Sequence, residues 1–395
     1  MTAASPPGGR PAPDAVCPAI PVVVLGLGGV GRTLLQHILR TRESLAQGGL
    51  RVVVHAVVDS QHILTDWSPG GIADPELRAI VEAKAARRPL SSLSSSETNK
   101  RLTSHAHGGS FESLLPPAGG ASRVYVDCTS TADLGCTLVQ ALPRLAGLVL
   151  ANKKPLTDSL AVYDAVLRAG RRVRYEATCG AGLPVLGTLD RMLGAGDEIQ
   201  RIAGALSGTL GYVMAGLEEG RPLSEVVRAA KAAGYTEPDP RDDLAGTDVA
   251  RKALILARKL GWRLELADVA VESLVPPHLA PAAMPLPLFL EAGLPTLDDA
   301  MAQRCAAARR DGNVLRYAAT IEGGSCRVGL LAVAPDSPLG RLKGSDNLVA
   351  ISSRCYASSP LVIQGAGAGN DTTAAGVLAD ILDMQDRWAG AASGQ

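Results

Sequence analysis

Asp248 and Lys252 stand four residues apart in "GTDVARKALILARKLGW", one helical turn from each other. On an exposed face such a pair is an ordinary ion pair, worth roughly 0.3–0.5 kcal/mol. At the rim of a cleft it is a proton donor held in place by an orienting carboxylate. Geometry alone leaves both readings open. Just upstream, "GYTEPDPRDDLAG" adds Glu237, Asp239, Asp242 and Asp243, so five carboxylates gather around the start of one apolar helical run. A solvated helix spreads its charges over one face, whereas a site that grips a small zwitterion collects them in this way.

The helix that must position these groups is expected to begin near Thr247, read as its N-cap. At 3.6 residues per turn, Val249, Ala250, Ala253, Leu254, Leu256, Ala257 and Leu260 share one apolar arc. That arc sends Arg251 and Arg258 into solvent and leaves Asp248 and Lys252 at its border.

A second chemical signal opens the chain. In "IPVVVLGLGGVGRTLLQHILR" a β-branched strand runs through Gly26, Gly28 and Gly31, with Gly29 and Val30 between the last two, straight into a helix. Gly26 permits the tight turn, Gly28 lets backbone approach a pyrophosphate, and Gly31 allows close helix–strand packing. The helix N-terminus then offers free N–H groups to the phosphates. A purely structural turn is the alternative. Asp59 closes the next strand, where a carboxylate hydrogen-bonds a ribose 2′-OH, pointing to NAD; alternatively it caps the following segment. Arg32, just after the third glycine, is placed to meet a 2′-phosphate, so the choice between NAD and NADP stays open.

Further apolar runs at "RVVVHAVVDS", "RVYVDCTST", "LVLANKK" and "RRVRYEA" alternate with helical patterns, the signature of a parallel sheet with crossover helices. From about residue 195 the character changes. "EIQRIAGALSGTLGYVM", "VLRYAATIEGG", "SCRVGLLAVAP" and "NLVAISSR" read as antiparallel strands, with helices near 222–233 and 247–260. The fold class is therefore α/β: an N-terminal Rossmann-type dinucleotide-binding domain, an α+β substrate and dimerisation domain, and a C-terminal helix returning to the first. The expected boundaries are a disordered tail at 1–18, the nucleotide domain at 19–175, the substrate domain at 176–360, and a Gly loop with its helix at 361–395. "RPLSSLSSSETNKR" reads as a polar surface segment.

Composition narrows the classes. Lys+Arg and Asp+Glu both number 39, so no overall field draws nucleic acid or an anionic membrane. The seven cysteines show neither a CxxC pair nor a histidine at metal-ligand spacing, which favours free thiols in a reducing compartment. No apolar run approaches the ~18 residues of a membrane span. The start, "MTAASPPGGRPAPDAV", lacks the apolar middle of a secretory signal and the repeated Arg of a transit peptide. The expected location is cytoplasmic, with an organellar one left open.

The segment "GYTEPDPRDDLAGTDVARKALIL" closely resembles the signature of homoserine dehydrogenases. The resemblance extends to the Gly-rich opening, "VDCTST", "ANKKPL", "YEATCGAGLPVL", "SGTLGYVM" and "GAGAGNDTTAAGVLADI", in the family's order, over about residues 20 to 385. It implies NAD(P)-dependent interconversion of L-aspartate 4-semialdehyde and L-homoserine. Lys252 matches the lysine that exchanges a proton with the substrate oxygen, and Asp248 its helical partner. Glu237 and Asp243 match carboxylates that take the substrate's ammonium and hydroxyl, while Thr209 and Tyr235 line the amino-acid pocket. Lys153 corresponds to the second active-site lysine, with Lys154 as the alternative register. Nearby positive charge and partial desolvation favour a less basic lysine. Thr129 and Ser130 resemble residues beneath the nicotinamide ribose, with strand punctuation as the alternative.

The same resemblance gives Glu176 and the carbonyls of Cys179, Ala181 and Leu183 a sodium-like monovalent cation. A structural turn is equally compatible with those residues. Gly365, Gly367 and Gly369 resemble a loop approaching the nicotinamide, although the family often has a second glycine where this chain has Asn370. The family's substrate-domain strands pair subunits into a homodimer. Neither an aspartokinase in front nor an ACT domain behind is expected, and so no threonine inhibition through such a domain.

Two other classes compete. A phosphorylating semialdehyde dehydrogenase needs an activated thiolate; Cys128, Cys136 and Cys179 are available, but none lies in a Cys–His arrangement, and Cys128 is read as buried in a strand. A cofactor-sensing regulator that kept the Rossmann fold would lack the lysine–aspartate constellation, which is present here.

Overall fold

The computed structural model describes residues 18–93, 103–106 and 123–386. The expected tail, except Pro18, and most of the polar segment near residue 95 lie outside the described residues. By its internal contacts the chain divides into two units. One takes the chain up to Cys128, Ala141–Val149 and the stretch from Leu378 onward; the other takes Thr129–Gln140 and Leu150–Val377. This division falls earlier than residue 175, because residues 129–140 and 150–175 make their contacts in the second unit.

In the first unit, strands β1 (Ala19–Leu25), β2 (Arg51–Val58), β3 (His62–Thr65), β4 (Thr103–Ala106), β5 (Val124–Asp127) and β6 (Gly147–Leu150) lie in the order β4-β3-β2-β1-β5-β6. β1 pairs in parallel with both β2 and β5, and Ile20, Val22, Val23, Val24 and Leu25 are fully buried. A strand covered on both faces has no polar side to show, hence its unbroken apolar run. Helices α1 (Gly29–Gln47) and α2 (Asp74–Ala85) accompany these strands. The all-parallel expectation fails at one edge, where β3 runs antiparallel to β2 and to β4. Three residues separate β2 from β3, too few for a crossover and enough for a hairpin.

The second unit is built on a six-stranded sheet. Its strands β8 (Ile199–Ala205), β9 (Ala270–Val271), β10 (Val314–Glu322), β11 (Ser325–Val333), β12 (Asn347–Ser353) and β13 (Leu361–Gly365) follow the order β13-β12-β8-β10-β11-β9. All neighbours are antiparallel except β11 and β9. A short strand β7 (Val173–Arg174) precedes them. The helices are α3 (Ala132–Gln140), α4 (Leu160–Ala169), α5 (Val185–Gly194), α6 (Gly208–Glu218), α7 (Leu223–Ala232), α8 (Pro240–Leu244), α9 (Thr247–Lys259), α10 (Leu286–Leu288), α11 (Asp298–Arg310) and, as far as Val377, α12 (Asn370–Leu382). α6 and α9 pack on β10, and α9 also on β11. No helix among the described residues is long and apolar enough to cross a membrane.

Several expectations need correction. "EIQRIAGALSGTLGYVM" is a strand only as far as Ala205, because Ser207 caps α6 by accepting from the Leu210 amide at 3.2 Å. Thr247 is the first residue of α9 and not its cap. The cap is Gly246, at φ +73°. Neither Arg251 nor Arg258 is simply solvated: Arg258 is 1% exposed and Arg251 is half-buried with a nitrogen on the Thr157 hydroxyl, both met by segments the helical wheel cannot see. Glu176 does not end a strand, since β7 stops at Arg174 and Glu176 begins a 3-10 turn. Cys128 lies one residue beyond β5.

Candidate active site

α9 delivers the central charges. Its first turn carries Asp248, where the helix dipole favours an acid. The Asp248 side chain is half-exposed, and Lys252, one turn on, is buried. Lys252 Nζ sits 2.9 Å from Asp248 Oδ2 and donates to the Leu206 carbonyl at 2.6 Å. Lys153 Nζ lies 3.3 Å from Asp248 Oδ1. Of the two adjacent lysines, Lys153 is the one whose ammonium stands on the carboxylate. Partial enclosure works against a charged Asp248, but the ammonium groups of Lys252 and Lys153 outweigh it and hold the carboxyl well below its usual range. Two ammoniums facing one carboxylate leave a net positive charge, which suits an oxygen that becomes an alkoxide.

Beside this trio lies an acidic pocket. Asp243, at the end of α8, accepts from the Glu237 amide at 2.9 Å and lies 2.9 Å from Thr209 Oγ1. Thr209 Oγ1 donates to the Tyr235 carbonyl at 2.6 Å. Desolvation raises the Asp243 carboxyl, the negative charges of Asp242 and Asp248 add to it, and the Glu237 and Thr209 contacts only partly offset it. Asp248 and Asp243 therefore feel each other. The Glu237 side chain is exposed, as is the Tyr235 ring, which stacks on Tyr212 at 5.1 Å. A half-buried carboxylate, an exposed one and a hydroxyl suit an ammonium and hydroxyl-bearing ligand.

The bend after β7 is sharp: Gly180 and Ala181 have φ +85° and +56°. Both Glu176 oxygens accept amides from the start of α5, Leu186 and Gly187, each at 2.6 Å. Desolvation raises the Glu176 carboxyl against the pull of those amides. Cys179 Sγ donates to the Lys252 carbonyl at 3.5 Å, so the bend rests on the lysine's own turn of α9. The bend also packs on α12, where a Cβ on Gly182 would come within 2.5 Å of the Thr372 carbonyl. Glu176, Cys179, Ala181 and Leu183 thus share one turn. Among the described residues no group of three or more His, Cys, Asp or Glu is disposed to hold a metal.

Wholly within the first unit, Gly26 adopts φ +86° and α1 begins at Gly29. A Cβ on Gly31 would lie 1.9 Å from the Gly26 carbonyl, so only glycine lets the helix start there, while a Cβ on Gly28 would meet nothing within 4 Å. The loop is closed on the helix side and open at Gly28, as a phosphate cradle requires. Asp59 is engaged: Oδ1 accepts from the Gln61 and His62 amides at 2.9 and 2.8 Å, and Oδ2 from Lys84 Nζ at 2.8 Å. Desolvation opposes its charge, yet these partners win and depress the carboxyl. Of the two sequence readings, the cap describes these contacts.

Thr129 Oγ1 lies 3.3 Å from Thr131 Oγ1, and Ser130 is exposed. Gly365 ends β13, where an added Cβ would lie 3.0 Å from the Leu183 side chain, and a Cβ on Gly367 would overlap the Asn347 side chain. Asn347 is fully buried and donates to the Gly367 carbonyl at 3.3 Å, a role the sequence did not single out. Leu206 went unnoticed too, because a main-chain acceptor leaves no mark on residue type. Burial raises the thiols: Cys136 to about 11, with Asp158 adding to it, Cys179 to about 12, and Cys128 further. None is poised as the thiolate that a phosphorylating dehydrogenase requires.

The chain matches the family model described as homoserine dehydrogenase over residues 184–382. It is similar to the bifunctional aspartokinase/homoserine dehydrogenase of Haemophilus influenzae, 36% identical over 92% of this chain, and spans 42% of that protein's length. A homoserine dehydrogenase of Emericella nidulans is 36% identical over 92% of this chain and 98% of its own. Among solved structures, a hyperthermophilic archaeal homoserine dehydrogenase in complex with NADPH shares the fold at a TM-score of 0.68, with 21% identity over 93% of this chain and 97% of its own. On the family model and the match along the whole of the fungal relative, the chain belongs to the homoserine dehydrogenase family.

Proposed function

We propose that the chain interconverts L-aspartate 4-semialdehyde and L-homoserine with NAD(P), as a step in making threonine, methionine and isoleucine. The observation that carries the reading is the meeting of Lys153 and Lys252 on Asp248. When bound, the nicotinamide supplies or accepts the hydride, and the archaeal relative's NADPH supports this class of cofactor. Gly26, Gly28, Gly29, Val30 and Gly31 would hold its pyrophosphate; by family resemblance Thr129, Ser130, Lys153 and Gly365 meet its nicotinamide half.

The chain's own residues do the rest. In the reducing direction Lys252 gives a proton to the substrate oxygen and becomes a neutral amine, still donating to the Leu206 carbonyl. Lys153 keeps its charge and stabilises the oxygen as it gains electron density. Asp248 orients both lysines. Asp243 and Glu237 take the substrate ammonium and hydroxyl, with Thr209 and Tyr235 shaping the pocket. In the oxidising direction Lys252 takes the proton back.

A sodium-like cation fits the oxygen-only donors of the bend, Glu176 with the carbonyls of Cys179, Ala181 and Leu183. Such an ion would stiffen the turn beneath Lys252. We place the assembled enzyme as a homodimer through the second unit's sheet, where Val271 is 40% exposed and a hollow of about 500 Å³ is lined by Ala318, Thr320, Val328 and Leu331. Free thiols at all six described cysteines suit a reducing, cytoplasmic setting.

The test is nicotinamide absorbance with homoserine and either NAD or NADP. The wild-type chain should reduce at least one cofactor, and Lys252→Ala should lower kcat by ~10²–10⁴-fold while leaving NADPH binding intact. A chain that binds NADPH yet shows no homoserine-dependent signal overturns the reading, and near-wild-type turnover in Lys252→Ala removes the lysine's role.

A further inference from the structure

A lysine on a loop is only as well placed as the loop. Lys153 precedes a single 3-10 turn, Lys154–Leu156, so no helix of useful length fixes its backbone. Asn152 holds one side, donating from Nδ2 to the Thr131 carbonyl at 2.7 Å and accepting the Lys154 amide on Oδ1 at 3.1 Å. The other side is held by α9. Arg258 Nη1 donates to the Leu156 carbonyl at 2.8 Å, with its remaining nitrogens spent on the Leu264 carbonyl and Glu265. Arg251 Nη1 donates to Thr157 Oγ1 at 2.5 Å. The Thr157 hydroxyl in turn reaches the Lys153 carbonyl at 3.2 Å, with the Lys154 carbonyl a further acceptor at 3.4 Å.

Arg251 lies three residues after Asp248, on the same helix. The element that presents the carboxylate therefore also grips the backbone that presents its second cation, through a buried hydroxyl that accepts from a guanidinium and donates to Lys153 itself. We propose that Arg251 and Thr157 form a positioning latch that sets Lys153 against Asp248. The Lys153–Asp248 contact, at 3.3 Å, is the longer of the two lysine contacts and depends most on where its backbone sits. Charge-assisted donation to the hydroxyl makes the latch stronger than a neutral hydrogen bond. Without it the ammonium moves relative to the substrate oxygen, and a displacement of about 1 Å costs on the order of 100-fold in rate.

The latch rests on the activity proposed above, and three variants separate the two. Thr157→Val keeps the shape and removes the hydroxyl, Thr157→Ser keeps the hydroxyl, and Arg251→Met removes the donor. With homoserine, Thr157→Val and Arg251→Met should each lose roughly 10–100-fold in kcat, with KM and the NADPH dissociation constant changed less than about threefold. Thr157→Ser should recover most of the rate. The double variant Thr157→Val/Arg251→Met should be no worse than either single one, because both cut the same chain of bonds. Unimpaired turnover in Thr157→Val overturns the latch. So does equal damage in Thr157→Ser, or a fall in kcat that tracks a fall in NADPH binding. A wild-type chain without homoserine turnover overturns the underlying reading instead.

Discussion

Lys153 and Lys252 occupy opposite oxygens of the same carboxylate, at 3.3 and 2.9 Å from Asp248 Oδ1 and Oδ2. They are brought together by unrelated means, one from a turn and the other from the body of α9. Lys154, next in the chain, spends its backbone amide on Asn152, and the ion pairs to Asp248 come from Lys153 and Lys252. Replacing Lys153 with Ala should thus lower kcat by on the order of 100-fold or more, since it removes a fixed positive charge at the developing oxyanion. Lys154→Ala should stay within about threefold of wild type. Steady-state kinetics with homoserine decides, and a reversed ranking would move the second lysine's role to Lys154.

The sequence carried the parts of this site that reside in residue type and local period. The strand–glycine–helix pattern at Gly26–Gly31 and the α9 arc were both legible, because each depends on neighbours in the chain. What escaped depends on partners far away. The helical wheel sent Arg258 outward since it sees one helix, whereas Leu156, Leu264 and Tyr163 enclose the guanidinium in three dimensions. Asp59 had two readings that local sequence cannot separate, and Lys84, 25 residues on, occupies one of its oxygens. The Leu206 carbonyl and the φ of Gly246 are main-chain facts, invisible in a pattern of side chains.

Asp243 makes a pH-dependent trade between stability and binding. Thr209 has one hydroxyl proton and faces two acceptors, the Tyr235 carbonyl and Asp243 Oδ1. Burial raises the Asp243 carboxyl above its unfolded value. The folded state therefore binds this proton more tightly than the unfolded chain, and the stabilisation is complete below the unfolded value near pH 4. It is lost as pH rises through the higher folded value. Asn at 243 has no charge to desolvate; its Oδ1 can accept the Glu237 amide and its Nδ2 can donate to Thr209. Asp243→Asn should thus melt higher than wild type at pH 7, by a margin that vanishes towards pH 4, while KM for homoserine rises. Thermal melts across pH check this, and a margin independent of pH would contradict it.

Gly246 is required on two separate grounds. Its φ of +73° lies in the left-handed region, and an added Cβ would fall 2.1 Å from the Tyr317 hydroxyl oxygen. That hydroxyl is committed to the Glu272 carbonyl at 2.7 Å and cannot swing aside freely. Gly246→Ala should cost about 1–3 kcal/mol from the backbone alone, with the clash adding to it. Because the residue caps α9, kcat should fall along with stability. In Gly246→Ala/Tyr317→Phe the oxygen is gone, so part of the loss should return in chemical denaturation; no recovery would mean that the backbone strain carries the whole effect.

On the proposed cofactor reading, the choice between NAD and NADP should turn on Lys84. In this fold a carboxylate at the end of the second strand accepts from the ribose 2′-OH and repels a 2′-phosphate. Here Lys84 sits on that carboxylate, and the amides of Gln61 and His62 take its other oxygen. The pair is mostly buried, so on that reading the lysine would neutralise the carboxylate's charge towards a 2′-phosphate. On the proposed cofactor reading, the wild-type chain should accept NADPH at least as well as NADH. Lys84→Met exposes the Asp59 charge, and a unit charge about 4 Å from a phosphate fully screened by water is worth on the order of 1 kcal/mol. The NADPH dissociation constant should therefore rise about five- to tenfold, with that for NADH changed less than about twofold. Fluorescence titration of both cofactors measures the ratio directly. Adding Asp59→Asn to Lys84→Met should return the ratio to wild type, because the charge unmasked by the first change is removed by the second; an unchanged ratio in all three proteins would place the 2′-position away from Asp59.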